Sequence, residues 1–187
     1  MDERAHIEQS TEAIKELIEK LPTDTYRIKN EKAYEEIVQT DDYPILWQVE
    51  LVPVNPNACP VALIVSSGDD GGLTYGFGFD TRAEIGKRLG LRVSSWSRHI
   101  IGFGTEPVHM SLEKVLQILS SVFEGRVALR WTAIGGILTS TAGDVTTAIG
   151  VETFRSPGGM LMGYFRGETF QYKPWNSVVA TLKAEHS

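Results

Sequence analysis

The chain has 187 residues, of which 42% are hydrophobic and 22% are charged. This size and composition are typical of a globular domain that buries a core without disulfides or metal, so residues 1–187 are expected to form a single domain. No apolar run approaches the roughly 18 residues of a membrane span, so no membrane association is expected. The acidic start does not resemble a secretory or mitochondrial leader, and a single cysteine, Cys59, is typical of a reducing compartment, which predicts a cytoplasmic location.

The acidic residues are concentrated in the first quarter of the sequence. Residues 1–50 contain 13 Asp and Glu against 6 Lys and Arg, whereas residues 51–187 contain 11 against 12. An acidic surface disfavours nucleic acid and attracts basic proteins. The alternative is that these charges only form the solvated outer faces of helices.

Two helices are predicted in an acidic helical segment at residues 1–40. The first carries apolar side chains at helical spacing and ends before Pro22. Its apolar residues are Ile7, Ile14, Leu17, Ile18 and Leu21. A second, shorter helix is expected to follow Asn30 as its N-cap and to bury Ala33, Tyr34, Ile37 and Val38.

From Pro44 the hydrophobic period changes to two, which indicates strands in a core region at residues 44–173. Apolar residues alternate from Ile45 to Leu51, and the continuous apolar run at 61–65 is typical of a central strand. A glycine-rich turn at 68–72 then predicts a hairpin with a strand at 73–79. In that strand Gly76 and Gly78 leave one face nearly bare, which predicts close approach of another backbone, a helix or a ligand.

Two further helices have clear ends in the sequence. Thr81 and Glu84 form a capping-box pattern for a helix at residues 82–89, which Gly90 ends. Ser111 begins the most strongly amphipathic helix, and Gly125 terminates it. The rest is predicted to form strands at 126–134, 145–154, 160–166 and 169–172, with a turn at 156–159 and a polar tail at 174–187.

The order of these elements predicts the fold class. Helices and strands do not alternate one for one, and tight turns join several strands, which favours α+β over a doubly wound α/β fold. We expect a largely antiparallel β-sheet, with the N-terminal helices and one central amphipathic helix packed against it.

Recognisable catalytic signatures are absent from the sequence. The glycine pairs lack the spacing of a dinucleotide-binding loop, and neither a nucleophile elbow nor a zinc-protease motif occurs. Cys59 lies in a proline-rich loop without an activating base. We therefore expect no catalytic residue, no cofactor and no metal, and no nucleophile, base and orienting group converging in the largest pocket.

The best candidate for a metal site is the combination of His99, Glu106 and His109. Imidazole and carboxylate ligands of this kind suit zinc or iron. Their spacing matches no recurrent metal motif, so we favour the interpretation that they are surface residues of a loop.

A basic stretch lies between residues 82 and 98 and includes an aromatic side chain, Trp96. Its cations are Arg82, Lys87, Arg88, Arg92 and Arg98. Basic residues interleaved with an aromatic are able to bind single-stranded nucleic acid or a phosphorylated ligand. Because the whole protein is acidic, we favour pairing with the acidic N-terminal helices or simple solvation, and nucleic acid is not an expected partner.

Two functions remain open. The first is a non-catalytic protein-binding module, such as an immunity or inhibitor protein or a secretion chaperone, acting as a monomer or homodimer. Its basic partner protein would bind an acidic face formed by Glu31, Glu35, Asp41, Asp42, Asp69 and Asp70. The alternative is a small-ligand-binding protein or enzyme with a pocket near Gly76, Gly78, His99, Glu106 and His109. A deep pocket that collects these titratable groups would favour the alternative, and a flat acidic or apolar patch would favour the protein partner.

Overall fold

The fold is α+β, as the sequence predicts, and an antiparallel sheet with nine described strands forms most of it. The computed structural model describes residues 3–33, 44–68, 72–99, 101–156 and 169–176. The described helices are α1 (Glu3–Glu19), α2 (Arg82–Leu89) and α3 (Leu112–Phe123). The described strands are β1 (Tyr26–Ala33), β2 (Ile45–Pro53), β3 (Val61–Ser67), β4 (Leu73–Gly78), β5 (Gly104–His109), β6 (Val127–Ile134), β7 (Ile137–Thr147), β8 (Gly150–Arg155) and β9 (Phe170–Gln171). None of the described helices has both the length and the apolar composition needed to cross a membrane.

The sheet consists of two halves with a narrow junction. The strand order is β1-β2-β3-β4-β5-β8-β7-β6-β9, and each described neighbour pair is antiparallel. Strands β1 to β5 are neighbours in chain order, and β6 to β8 form a second such series. Among the described residues, the two series meet through one residue pair, Gly104 of β5 with Arg155 of β8. Backbone pairing alone therefore joins the halves weakly.

One hydrophobic core spans both halves of the sheet. It includes Ile14 of α1, Leu119 of α3, Val49 of β2 and Val145 of β7, all of which are almost fully buried. Aromatic side chains reinforce the junction between the halves. The ring of Phe79 stacks on Phe103, and it meets Phe154 edge-on, in each case with 4.9 Å between ring centroids.

The ends of the helices follow the predicted signals. The Thr81 hydroxyl accepts a hydrogen bond from the Glu84 amide at 3.3 Å, which caps α2, and Gly90 ends this helix with a φ of 66°. The Ser111 hydroxyl caps α3 by accepting from the Lys114 amide at 3.3 Å. These local contacts satisfy amide groups that a helix leaves free at its N-terminus. The predictions for α1, α2 and α3 are confirmed.

The prediction of a helix after Asn30 is wrong where the structure describes this segment. Residues 26–33 form the edge strand β1, in which Glu31 lies opposite Val49 of β2. The Lys29 ammonium and the Glu50 carboxylate form an ion pair across the two strands at 2.7 Å. Pairing with β2 therefore outweighs the local helical pattern, which is a weak preference. Tyr34, Ile37 and Val38 lie outside the described residues.

The prediction of one strand at 145–154 is also wrong, because a turn divides it between β7 and β8. Gly150 begins β8 with a φ of 151°. β7 also begins earlier than expected, since Gly135 and Gly136 have φ values of 57° and 74° and form a two-residue turn after β6. The predicted strand at 160–166 and most of the turn at 156–159 lie outside the described residues. β9 lies within the strand predicted at 169–172.

Two segments predicted as loop and tail belong to the folded core region. Residues 104–109 form β5, which pairs with β4 through a register shift that accommodates Pro107. In the predicted tail, Trp175 is buried, and its indole nitrogen donates a hydrogen bond to the Cys59 carbonyl at 2.9 Å. The tail therefore contributes to the core at least to residue 176, and residues 177–187 lie outside the described part.

Candidate ligand-binding pocket

A pocket of about 520 Å³ lies between residues 52–60 and α2. It forms at the end of the sheet where β2 ends, β3 begins and β4 ends. Residues 52–58 and Pro60 line one side, while Asp80 and the α2 residues Glu84, Lys87 and Arg88 line the other, together with Arg27 of β1. Its volume falls within the range of about 300–1,000 Å³ that is typical of ligand pockets.

Hydrogen bonds hold the 52–60 segment in place. The side-chain oxygen of the buried Asn55 accepts from the Asn57 amide, and its side-chain nitrogen donates to the Pro174 carbonyl, both at 3.0 Å. The Lys173 amide donates to the Asn57 carbonyl at 2.9 Å. Asn55 thus acts as an Asx-turn residue, and three prolines restrict the segment further. This side of the pocket is preformed.

A buried polar network connects the pocket with the protein interior. Arg88 Nε donates to Asp80 Oδ2 at 2.9 Å, and the Tyr172 hydroxyl donates to the same oxygen at 3.1 Å. The other guanidinium nitrogens of Arg88 donate to the carbonyls of Pro56 and Ala58. Arg88 also lies over the Tyr172 ring, 5.3 Å from its centroid. The network therefore joins α2, the 52–60 segment and the chain after β9.

Burial dominates the electrostatics of this network. Asp80 is only 2% exposed. Desolvation raises the pKa of its carboxyl group, although the Arg88 guanidinium opposes this shift. Burial also raises the pKa of the Cys59 thiol and of the Tyr172 phenol well above their ordinary values. Cys59 is therefore a protonated thiol at neutral pH rather than a nucleophilic thiolate.

The polar side chains that remain open to the pocket are mainly hydrogen-bond donors. Arg27 and Lys87 are exposed, and neither forms an ion pair with any described residue. The exposed side-chain amide of Asn57 makes no hydrogen bond within the described part of the chain. Glu84 is the one exposed carboxylate on the lining.

The structure brings Gly76 and Gly78 against other parts of the chain. A Cβ atom on Gly76 would lie 3.2 Å from the backbone nitrogen of Pro107, and one on Gly78 would lie 3.0 Å from Cδ1 of Ile101. The close approach predicted for this bare face is therefore present, and its neighbours are protein. Neither glycine lines the pocket at residues 52–60.

His99, Glu106 and His109 are all exposed, and none of them lines this pocket. Glu106 and His109 belong to β5, whereas His99 follows a short 3-10 turn at Ser95–Ser97. Within the described ranges, no three His, Cys, Asp or Glu side chains are close enough to hold a metal ion. The titratable groups that the pocket does collect are Asp80, Glu84, Lys87, Arg88 and Arg27.

The predicted acidic face is described at only one position, Glu31. Its carboxylate accepts from Lys15 at 2.9 Å and from the Trp47 indole at 3.3 Å, and the Lys15 hydrogen bond lowers the pKa of Glu31. The charge of Glu31 is thus engaged within the fold. The other members of the predicted face lie outside the described residues, and they are Glu35, Asp41, Asp42, Asp69 and Asp70. The acidic partner surface stays a prediction.

The basic stretch is partly internal, and the described side-chain partners of Arg88 and Arg92 are not the N-terminal acids. Arg88 pairs with Asp80, and the Arg92 guanidinium donates to the Gly135 carbonyl at 2.9 Å. Arg82 is buried, and its Nε has no hydrogen-bond partner among the residues that the structure describes. The expectation of pairing inside the fold is therefore met at Arg88 through a carboxylate next to α2.

Asp80 and Tyr172 are two members of the site that were not predicted from the sequence. Asp80 follows β4 and directly precedes Thr81, the capping residue of α2, so it lies where a strand leads into a helix. This position is a usable signal, because ligand sites often form at such ends of strands. No local signal identifies Tyr172, which is separated from Asp80 by 92 residues.

A second pocket of about 310 Å³ lies between α1, α3 and residues 174–176. Leu17, Leu21 and Phe123 contribute apolar lining, and Lys20 and Glu124 contribute charges of opposite sign. No buried network of ionisable groups comparable to that of Asp80 is described there. It is the weaker candidate.

Comparison with family models, curated proteins and solved structures finds no match to this chain. The function of the larger pocket therefore has to be inferred from its own geometry. That geometry supplies a preformed cavity, fixed internal hydrogen bonds and several donors without a partner among the described residues, which are the components of a binding site.

Proposed function

We propose that this protein is a non-catalytic binding protein for a small ligand, which it holds in the pocket between residues 52–60 and α2. The observation that carries the proposal is the 520 Å³ cavity bounded by the buried Asp80–Arg88 network. Ligand pockets are typically concave and largely preformed, and a small number of polar groups point into them. This site differs from the alternative ligand site predicted from the sequence, which was near Gly76 and Gly78.

The composition of the lining supports binding rather than covalent chemistry. The described lining contains no hydroxyl, thiol or imidazole side chain. Cys59 lies behind it, but the thiol is fully buried, and its high pKa keeps it protonated. Nucleophilic catalysis requires an activated nucleophile within hydrogen-bond distance of a base, and this lining provides none.

The internal hydrogen bonds support a site that exists before the ligand arrives. Arg88 is held by Asp80 and by two carbonyls of the 52–60 segment, so its position does not depend on a ligand. Asn55 fixes the same segment from the other side. A preformed site avoids the entropy cost of ordering side chains on binding.

The experiment is a thermal-shift screen with metabolite-sized acids, bases and neutral compounds on the wild type and on Asn57→Trp. Asn57 is exposed on the lining, so an indole there should occupy the mouth of the pocket without disturbing the core. A compound at about 100 times its Kd should stabilise the wild type by about 2.7 kcal/mol. This corresponds to roughly 5–10 °C in Tm for a chain of this size.

The matched control is Ile149→Trp, which adds an indole at an exposed turn residue outside the pocket. A compound that stabilises the wild type and Ile149→Trp, but not Asn57→Trp, would support the proposal. If no compound stabilises the wild type more than Asn57→Trp, the pocket is not a ligand site.

A protein partner is the second candidate, and exposed apolar side chains favour it. Trp96 is 77% exposed and Ile134 is 70% exposed, although large apolar side chains normally avoid water. Arg92 hydrogen-bonds to both glycine carbonyls of the turn between β6 and β7, which follows Ile134.

A protein retained from the native host by the wild type and by Ile149→Ser, but not by the double variant Trp96→Ser/Ile134→Ser, would support this candidate. Equal retention by all three proteins would contradict it.

A further inference from the structure

We infer that the ligand of this pocket is an organic anion, with a carboxylate or phosphate group on an apolar body. This inference rests on the proposed function, and it adds the chemical class of the ligand. Arg27 and Lys87 are the residues that would bind the anionic group, and residues 53–56 would contact the apolar body.

The charges on the lining favour an anion. Asp80 and Arg88 compensate each other through their ion pair at 2.9 Å. Among the remaining lining residues, Arg27 and Lys87 are positive, and Glu84 is negative. The pocket is therefore locally positive in a protein whose formal net charge is −6. Such a local reversal of sign attracts an anion to this place rather than to the rest of the surface.

The hydrogen-bonding capacity of the lining points in the same direction. The carbonyls of Pro56 and Ala58 already accept from Arg88, and the Asn57 carbonyl accepts from the Lys173 amide. Asn55 uses its side-chain oxygen inside the segment. The acceptors of the 52–60 segment are thus largely occupied, whereas the Arg27 guanidinium and the Lys87 ammonium have no ion-pair partner among the described residues. A guanidinium suits two-point recognition of a carboxylate or phosphate, and an ammonium adds a point charge.

The rest of the lining is apolar, which argues for more than an inorganic ion. Pro53 and Pro56 contribute apolar rings, and Val54 is 52% exposed on the pocket wall. These side chains offer no hydrogen bonds to a ligand. An apolar body of the ligand would cover them, and this burial would add to the affinity.

The test uses four probes that share one ring and differ in charge: phenyl phosphate, benzoate, benzamide and benzylammonium. Isothermal titration of the wild-type protein should show that at least one anion binds about tenfold more tightly than benzamide, a difference of about 1.4 kcal/mol. Arg27→Met and Lys87→Met should each weaken anion binding toward the affinity of benzamide and so remove most of this preference. Arg98→Met is the control, since Arg98 is an exposed cation outside the pocket.

The possible failures separate this inference from the proposed function. If benzamide or benzylammonium binds as tightly as the anions, and Asn57→Trp abolishes that binding, the pocket is a ligand site but the anion preference is wrong. If anions bind equally to the wild type and to Asn57→Trp, they bind elsewhere, and the inference is overturned. Loss of preference in Arg98→Met to the same extent as in Lys87→Met would show a general charge effect and would also overturn it.

Discussion

Arg88 is the residue through which the pocket and the protein interior depend on each other. Its ion pair with Asp80 lies on the pocket lining, and its remaining donors fix the 52–60 segment. A buried ion pair contributes little net stability, because desolvation offsets the attraction, but removal of one partner leaves an uncompensated charge. Removal of the charge of one partner should therefore lower the free energy of unfolding by more than the intact pair contributes.

Arg88→Met should lower the free energy of unfolding by about 3–5 kcal/mol at neutral pH, because it leaves the Asp80 carboxylate buried without a cation. Methionine keeps an apolar stem of similar length. Urea denaturation measures the loss, which should shrink as the pH falls and Asp80 takes up a proton. Lys29→Met is the control, since Lys29 forms an exposed pair with Glu50 and should contribute at most about 1 kcal/mol. Equal losses in both variants would show that burial of Asp80 has no such consequence.

The protonation of Asp80 should be visible in the pH dependence of stability. Burial raises the pKa of this carboxyl group above its usual value. At pH values between the usual and the raised pKa, the folded protein therefore holds a proton that the unfolded chain has lost. Its contribution to stability is therefore complete below the usual pKa and decreases as the pH rises through the raised pKa.

Asp80→Asn removes this titration. The free energy of unfolding of the wild type minus that of Asp80→Asn should decrease from about pH 4 upward, since an unperturbed Asp titrates near that pH. Urea curves recorded at several pH values give the difference. An increase over the same range would mean that pairing with Arg88 outweighs burial.

The polar network shows how much of a site the sequence is able to predict. Arg88 stands out in a basic stretch, and Asp80 stands next to a recognisable helix cap. Tyr172 reaches Asp80 only because the chain around β9 lies against β6 and the 52–60 segment. Contacts across 92 residues leave no local pattern in a single sequence.

At the scale of elements, β4 depends on its glycines for close contact with β5. A Cβ on Gly76 would meet the backbone of Pro107, whereas one on Gly78 would meet the end of the Ile101 side chain, which is able to move. Gly76→Val should therefore lower the free energy of unfolding by about 2 kcal/mol or more, and Gly78→Val by less than about 1 kcal/mol. Urea denaturation of the two variants, each the control of the other, tests this. Similar losses would show that the backbone of Pro107 gives way as easily as a side chain.

Helices with capping residues and clear periodicity were predicted well from the sequence. Strands whose conformation depends on the neighbouring strand were not. α2 and α3 have capping residues and strong helical periodicity, so their ends follow from the sequence. β1 is a charged edge strand, and β5 contains Pro107, so neither shows the alternation of a half-buried strand. Pairing with β2 and β4 decides their conformation.

At the scale of the whole molecule, aromatic packing should hold the two halves of the sheet together. In the part of the chain that the structure describes, one backbone pair, Gly104 with Arg155, joins the halves, whereas Phe103 is fully buried between Phe79 and Gly143. Phe103→Ala should lower the free energy of unfolding by about 3–5 kcal/mol.

Ile149→Ala is the matched control for Phe103→Ala, because Ile149 is exposed at the turn between β7 and β8. Its effect should stay within about 0.5 kcal/mol. Thermal or urea unfolding measures both variants. A loss below about 1 kcal/mol in Phe103→Ala would mean that the halves do not depend on this contact.

The central claim is that the cavity between residues 52–60 and α2 binds a small ligand. The most direct test is to map backbone amide chemical shifts of the labelled protein during titration with phenyl phosphate and with hits from the thermal-shift screen. Saturable changes should cluster at residues 52–60 and 80–88, which line the 520 Å³ pocket, and should disappear in Asn57→Trp. Changes that cluster around Leu17 and Phe123 at the second pocket, or that persist in Asn57→Trp, would contradict the claim.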